Sequence, residues 1–207
     1  MDRTFTIFLV DDDPSVLRAL ARLLRAWSYD VRTFASAGAF LDHHDADVPG
    51  CAIFDLAMPG LDGLALQDSL KADGIERPII FITGRGNIPK SVRAMRAGAI
   101  DVLTKPVREK ELLAGIARAE EADARARQGR AELAALETKL ASLTPREYEV
   151  LTHVIAGQLN KEIAGDLGTV EKTVKVHRGR MMEKLGVHTV ADLVRLAMKA
   201  GVSANPH

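Results

Sequence analysis

Apolar runs of strand length alternate along the first half of the chain with segments whose apolar residues return every three or four positions. Residues 5–10 form the first run, closed by Asp11-Asp12-Asp13 and Pro14. Asp13 as N-cap with Pro14 at the first helical position predicts a helix, and Val16, Leu17, Leu20, Leu23, Leu24 and Trp27 mark its apolar face. A short strand over 29–34 and a helix from Ser36 to about His43 follow. The next run ends in Asp55, with a Pro59-Gly60 turn soon after it and a helix from near Leu61 to about Ala72. Residues 78–83 are apolar almost throughout, as in a strand buried on both faces. A helix over 89–98 and a strand over 100–103, ended by Lys105-Pro106, complete the series. Five strand–helix alternations in about 120 residues predict an α/β doubly wound parallel five-stranded sheet.

From 107 to 142 the pattern is helical. Leu112, Leu113 and Ile116 complete the first domain, taken as 1–122. Residues 119–130 are rich in Ala, Glu and Arg, with little to bury and a weak point at Gly129. Leu133, Leu136, Leu140 and Leu143 then recur at helical spacing, over only about one and a half heptads. Either a coiled-coil seam or a linker helix leaning on a neighbour satisfies that pattern, and 123–142 is read as a helical linker. Thr144-Pro145-Arg146-Glu147 starts another helix twice over, by capping-box spacing and by Pro at the first position. Residues 143–207 are therefore a small all-α domain of four helices: to about 156, over 160–167, over 171–185 and over 189–199, with turns at Gly157 and Gly168. The end, 203–207, is read as frayed.

Parallel strands align their carboxyl ends, which is where ligands bind in open α/β sheets. Those ends carry Asp11 and Asp12, Asp55, Thr83 and Lys105. Three gathered carboxylates repel unless a cation joins them, and an all-oxygen set suits Mg²⁺. Asp55 is then placed as a carboxylate nucleophile toward a phosphoryl group, with Lys105 supplying positive charge and Thr83 a hydroxyl. Val10-Asp11-Asp12-Asp13, Asp55-Leu56-Ala57-Met58-Pro59-Gly60-Leu61-Asp62-Gly63, Thr83-Gly84 and Lys105-Pro106 resemble the receiver domain (CheY-like) of bacterial two-component response regulators, over about residues 4–120. The resemblance implies phosphorylation of Asp55 by a sensor histidine kinase. It implies Mg²⁺ held by Asp12, Asp55 and the Ala57 carbonyl, with Asp11 acting through water, and phosphoryl oxygens bound by Thr83 and Lys105. Val102 departs from it, standing where such receivers commonly carry an aromatic residue that swings inward. The loop 84–87 offers another route for the signal, its glycines making movement cheap.

In the helix over 171–185, Val174, Met181 and Leu185 form an apolar stripe, and Lys172, Lys175, Val176, Gly179 and Glu183 fall opposite. Residues 171–184 hold five basic and two acidic residues plus His177, behind a short helix and a glycine turn, as in a helix-turn-helix. Leu143-Thr144-Pro145-Arg146-Glu147, residues 157–164 and Lys172-Thr173-Val174-Lys175-Val176-His177-Arg178 resemble the LuxR-type (NarL/FixJ) DNA-binding domain, and the whole chain resembles the FixJ subfamily. That resemblance implies double-stranded DNA as partner, with Lys175, Val176 and Gly179 toward the groove. It sets Asn160, Lys161, Thr173, His177 and Arg178 at or near the phosphate backbone, with Lys172 on the same basic face. RNA polymerase is the implied partner in transcription. Two positions depart. Gly179 has no side chain to read a base and permits close approach instead, and Val170 replaces the usual Ser cap, so that Thr169 is expected to cap the helix.

The 28 basic and 28 acidic residues balance, but residues 1–122 hold 15 basic and 18 acidic and the remainder 13 and 10, a mild bias toward a polyanion in the second half. Cys51, the single cysteine, excludes an intrachain disulfide framework and reads as a small core residue. Without a signal-like N-terminus or an apolar run near ~20 residues, the expectation is a soluble cytoplasmic protein with no membrane partner. His43-His44 reads as a surface pair. The expected function is a transcriptional regulator in which phosphorylation of Asp55 promotes homodimerisation and operator binding. The alternatives are an atypical receiver, dimerising through the 133–143 seam and binding DNA without phosphorylation, and a metal-dependent phosphohydrolase using Asp55. The expectation is that the chain is no enzyme beyond slow self-dephosphorylation.

Overall fold

The computed structural model describes residues 5–84 and 88–204. The chain divides into two compact units, 1–127 and 128–207.

In the first unit β1 (Thr6–Val10), β2 (Asp30–Phe34), β3 (Gly50–Asp55), β4 (Ile79–Thr83) and β5 (Asp101–Thr104) form one sheet in the order β2-β1-β3-β4-β5. All four pairings are parallel. The helices between them are α1 (Pro14–Ala26), α2 (Ala37–His43), α3 (Gly63–Ala72) and α4 (Ile88–Arg96). Side chains alternate across a strand, so the sheet builds two cores. Ile7, Leu9, Ile53, Ile80 and Ile82 meet Leu20 and Leu24 of α1 and Leu112 and Ile116. Phe8, Val10, Phe54 and Phe81 meet Phe40, Leu66, Leu70 and Ala94 on the other face. Burying each of these large apolar side chains stabilises the fold by roughly 1.5–3 kcal/mol. Because both faces are covered, the central strands read as unbroken apolar runs.

Caps set the helix ends. Asp13 accepts from the Ser15 amide ahead of Pro14, as expected. Asp62 accepts from the Ala65 amide, so α3 starts at Gly63 and not at Leu61. α4 ends at Arg96, short of Gly98, which takes a left-handed φ of 88°. β5 lies one residue later than its apolar run suggested, carried there by the register of Phe81 with Val102 and Thr83 with Thr104.

The helix α5 spans Glu109–Ala141 and continues through Gly129. Within the first unit its later turns do find something to bury. Ala119 is fully buried and Asp123 is 4% exposed, with Arg127 Nε 2.8 Å from Asp123 Oδ2 and Arg127 Nη1 donating to the Asp47 carbonyl at 2.7 Å.

The second unit holds the end of α5 with α6 (Pro145–Ile155), α7 (Asn160–Asp166), α8 (Glu171–Leu185) and α9 (Val190–Lys199). Val150, Leu151, Val154, Ile163, Val174, Met181, Leu185 and Leu193 form its core. Leu140 and Leu143 pack against that core and Leu136 is buried, which leaves Leu133 exposed. The predicted capping box of Thr144 and Glu147 is present. α8 begins after Val170, which has no side-chain acceptor to offer, so Thr169 is not the cap; it lies one residue outside. The turn between α7 and α8 needs the left-handed φ of 61° at Gly168, which glycine adopts without strain.

Candidate functional site

The parallel register carries the ends of β1, β3 and β4 to one rim. Asp11 and Asp55 are 4% and 6% exposed there, and Thr83 is buried. Asp12 is exposed. One carboxylate oxygen from each of Asp11, Asp12 and Asp55 lies within 4.8 Å of the others. Lys105 reaches into this acidic group, its Nζ 2.7 Å from Asp11 Oδ2 and 3.4 Å from Asp55 Oδ1. The other oxygen of Asp11 accepts from the Asp13 amide at 2.9 Å. The Thr83 hydroxyl donates to the Gly84 carbonyl at 3.2 Å, and the Lys105-Pro106 peptide is cis.

Burial pushes the Asp55 carboxyl above its ordinary range and Asp11 adds to the rise, while Lys105 opposes both. Burial would lower the Lys105 ammonium, but its bond to Asp11 and the charge of Asp55 outweigh that and raise it. Two buried acids and a third beside them cost free energy that one lysine only partly offsets. The all-oxygen donor set fits a hard divalent cation, and these three residues could hold one. The chemistry available is that of a carboxylate nucleophile flanked by cations.

Asp11, Asp12, Asp55 and Lys105 are thus brought together, and Thr83 ends the neighbouring strand β4; of the stretch expected to carry movement Gly84 follows β4, and 85–87 lie outside the described residues. Val102 on β5 is partly buried against the Phe8–Phe81 core. Ile88, Val92 and Met95, at 74%, 45% and 48% exposure, form an apolar stripe on α4. Lys90 Nζ and Arg93 Nη2 tie the same helix to Asp62, the N-cap of α3, and to Asp68 within it at 2.9 and 3.1 Å. Cys51 is buried, and burial pushes its thiol upward, as in a core residue. His44 is stacked on Phe40 with centroids 4.7 Å apart, so only His43 of the pair is an exposed surface residue.

In the second unit, Lys172, Lys175, Val176 and Gly179 are exposed on α8, and Thr173, His177 and Arg178 are half-buried. Lys161 is exposed on α7. Arg178 Nη1 donates to Asn160 Oδ1 at 2.9 Å, joining α8 to the first residue of α7. Lys175 pairs with Glu171 one turn earlier at 3.0 Å. Sequence spacing gave no signal for the Arg178–Asn160 bond, nor for Lys184, which donates to Glu147 at 2.6 Å and to the Ser142 carbonyl at 3.0 Å.

A doubly wound domain with an acidic, lysine-bearing rim, followed by a helix-turn-helix unit, defines a DNA-binding regulator governed by an aspartate-bearing domain. Residues 7–117 match the response regulator receiver domain, and residues 141–197 match the bacterial regulatory proteins of the luxR family. The chain belongs to the two-component response regulators that combine a receiver with a LuxR-type DNA-binding domain. It is 42% identical over 199 residues to nodulation protein W of Bradyrhizobium diazoefficiens, covering 96% of this chain and 88% of that one. It is 43% identical over 195 residues to the response regulator TodT of Pseudomonas putida, covering 94% and 86%. The solved structure of the response regulator StyR is similar at 46% identity, with a TM-score of 0.82 over 95% of this chain and 100% of that one. Full-length FixJ from B. japonicum is similar at 37% identity and a TM-score of 0.56, covering 95% and 97%. The receiver implies a histidine kinase as partner, the LuxR-type domain implies DNA, and the assembly is a transcription regulator. No helix among the described residues is long and apolar enough to cross a membrane.

Proposed function

We propose that Asp55 accepts a phosphoryl group from a sensor histidine kinase, and that phosphorylation pairs two receivers so that two LuxR-type domains bind an operator together. The observation that carries this is Asp55 itself, buried at the rim beside Lys105 and within reach of Asp11 and Asp12. One Asp55 oxygen attacks the phosphorus carried by the kinase histidine. The O–P bond forms as the N–P bond breaks, and the imidazole nitrogen keeps the electron pair. Lys105, kept cationic by its two acids, binds a phosphoryl oxygen, and Asp11 holds it in place. The Thr83 hydroxyl exchanges its bond to the Gly84 carbonyl for a second phosphoryl oxygen. Asp11, Asp12, Asp55 and the Ala57 carbonyl would hold Mg²⁺, with Asp11 acting through water, and bound Mg²⁺ supplies positive charge that offsets the carboxylates and the phosphoryl group.

The pairing surface is the outer face of α4 with β5, where Ile88, Val92 and Met95 lie exposed. A constitutive leucine seam is disfavoured, because Leu140 and Leu143 pack against the second unit's own core and Leu136 is buried. On DNA, Lys175, Val176 and Gly179 of α8 face the major groove. Asn160, Lys161, Lys172, Thr173, His177 and Arg178 lie at or near the phosphates. Joining two such units makes the second half-site contact intramolecular and raises avidity. RNA polymerase is the partner for transcription. The test is sedimentation with Mg²⁺, with and without beryllofluoride. The expected result is a monomer that becomes a dimer, and an Asp55→Asn protein that stays monomeric in both conditions. A dimer irrespective of beryllofluoride, or one that survives Asp55→Asn, overturns the proposal.

A further inference from the structure

A cleft of about 550 Å³ opens in the first unit at the amino end of β4, the opposite end of the strands from Asp55. Leu70 at the end of α3, Ile75, Ile79, Ile100 and the α5 residues Ala122 and Ala126 give it apolar walls. A cleft of this size and character suits a small organic molecule. Two buried polar side chains stand in the same lining. Gln67 is 2% exposed and Arg77 8%. Among the described residues Gln67 Oε1, an acceptor, and Arg77 Nε, a donor, have no hydrogen-bond partner. Buried polar groups are paired as a rule, so two unpaired atoms at one cleft call for an explanation.

Charge narrows the class of molecule. The Arg77 guanidinium donates to the carbonyls of Asp45 and Val48 at 2.6 and 3.3 Å and lies 4.2 Å from the centre of the Phe8 ring, all neutral partners. Asp123, whose charge acts on Arg77, is itself bonded to Arg127 at 2.8 Å. Two cations thus share one buried acid, and a further anion would complete the group. Lys71, exposed on α3, donates to the Ala97 carbonyl, which also accepts from Gln67 Nε2 at 3.2 Å. That carbonyl keeps a donor when Lys71 turns away, so the ammonium is free to meet a ligand. Glu76, exposed, is the acid of the lining and opposes a second negative charge. We infer that the cleft binds a small monocarboxylate with an apolar body and a hydroxyl beside its head. The carboxylate pairs with Arg77 and Lys71, the hydroxyl donates to Gln67 Oε1, and the body covers the apolar walls. The inference is independent of the roles proposed for Asp55 and α8.

The experiment titrates the full chain, by calorimetry, with three molecules that share one apolar chain: 2-hydroxyoctanoate, octanoate and octane-1,2-diol. 2-Hydroxyoctanoate is expected to bind at a single site, about tenfold more tightly than the diol, which keeps the body and loses the charge. Octanoate, with no donor for Gln67 Oε1, is expected to bind about fivefold more weakly than the hydroxy acid. Two variants locate the site. Ala126→Phe fills the cleft from α5 and should abolish binding. Lys71→Gln changes an exposed side chain, should unfold as cooperatively as the wild type, and should bind the hydroxy acid about fivefold or more weakly. It carries the test should Ala126→Phe not fold. The inference is overturned by absence of binding, by equal affinity for the hydroxy acid and either of the other two molecules, or by wild-type affinity in a folded variant, which would place the ligand on another apolar surface such as the α4 stripe.

Discussion

The Lys184 ammonium lies 2.6 Å from Glu147 Oε2, so the last turn of α8 is bonded to the capping box that starts α6. Glu147 is 2% exposed and also accepts from the Thr144 amide at 2.9 Å. One carboxylate thus closes a helix start and fixes the end of the helix assigned to the groove. Glu147→Ala removes both bonds and leaves the Thr144 amide without its acceptor. The expected cost is about 1–2 kcal/mol, read as a fall in the thermal unfolding temperature of the full chain. A loss below a few tenths would show that water replaces the carboxylate.

The same carboxylate gives the second unit an acid dependence of defined sign. The bond from Lys184, followed by that from the Thr144 amide, holds Glu147 below its ordinary value of 4.5. A carboxyl depressed by folding contributes stability that is complete above the unfolded value and lost as pH falls through the folded one. Stability should therefore decline as the solution is acidified below about pH 4.5. Glu147→Gln, which does not titrate, should show a shallower acid limb. Denaturant unfolding measured from pH 6 downward, at about half-unit steps, checks this. Parallel acid limbs in the two proteins would refute it.

How much of this was visible in the sequence depended on the range of the interaction. The strands, the caps at Asp13 and Thr144, and the acidic rim follow from local pattern plus the rule that parallel strands share a carboxyl edge. The stretch after Ala119 reads as having little to bury because its buried members are an alanine and an acid. Asp123 is buried beside Arg127, which also bonds the Asp47 carbonyl. Burial lowers the Arg77 guanidinium, and the charge of Asp123 works against that. Asp47 and Arg77 lie far from Asp123 and Arg127 in sequence, and no local periodicity announces a charge buried among such distant partners. The leucine seam stayed ambiguous for a related reason. Three- and four-residue spacing tells that a face is covered but not by what, and here the cover is the second unit's own core.

Asp12 separates cation binding from folding. It is exposed, unlike Asp11 and Asp55, so Asp12→Asn should leave unfolding within about 0.5 kcal/mol of the wild type. It should nonetheless weaken Mg²⁺ binding by about tenfold or more, since one of three carboxylates loses its charge. Titration calorimetry with Mg²⁺ measures this directly. Removal of the cation with a chelator should abolish beryllofluoride-dependent dimerisation in the wild type. Unchanged Mg²⁺ affinity in the variant would remove Asp12 from the ligand set.

A substitution in the α4 stripe distinguishes the proposed phosphorylation from the proposed pairing. Val92 is 45% exposed, and its neighbours on the face, Ile88 and Met95, are more so. An aspartate at 92 therefore meets water in the monomer and should cost the fold little. In a two-fold pair the same patch meets its own copy, so each new charge is buried near an identical one. Val92→Asp should take up a phosphoryl group at Asp55 as the wild type does, because Val92 belongs to none of the groups around that carboxylate. It should remain monomeric in sedimentation at concentrations where the wild type with beryllofluoride is dimeric. Its affinity for a duplex carrying two half-sites should fall to that for one, since the gain from bivalence is lost while α8 is untouched. A dimer of wild-type strength in this variant would move the pairing surface away from α4 and leave Asp55 as the phosphorylated residue.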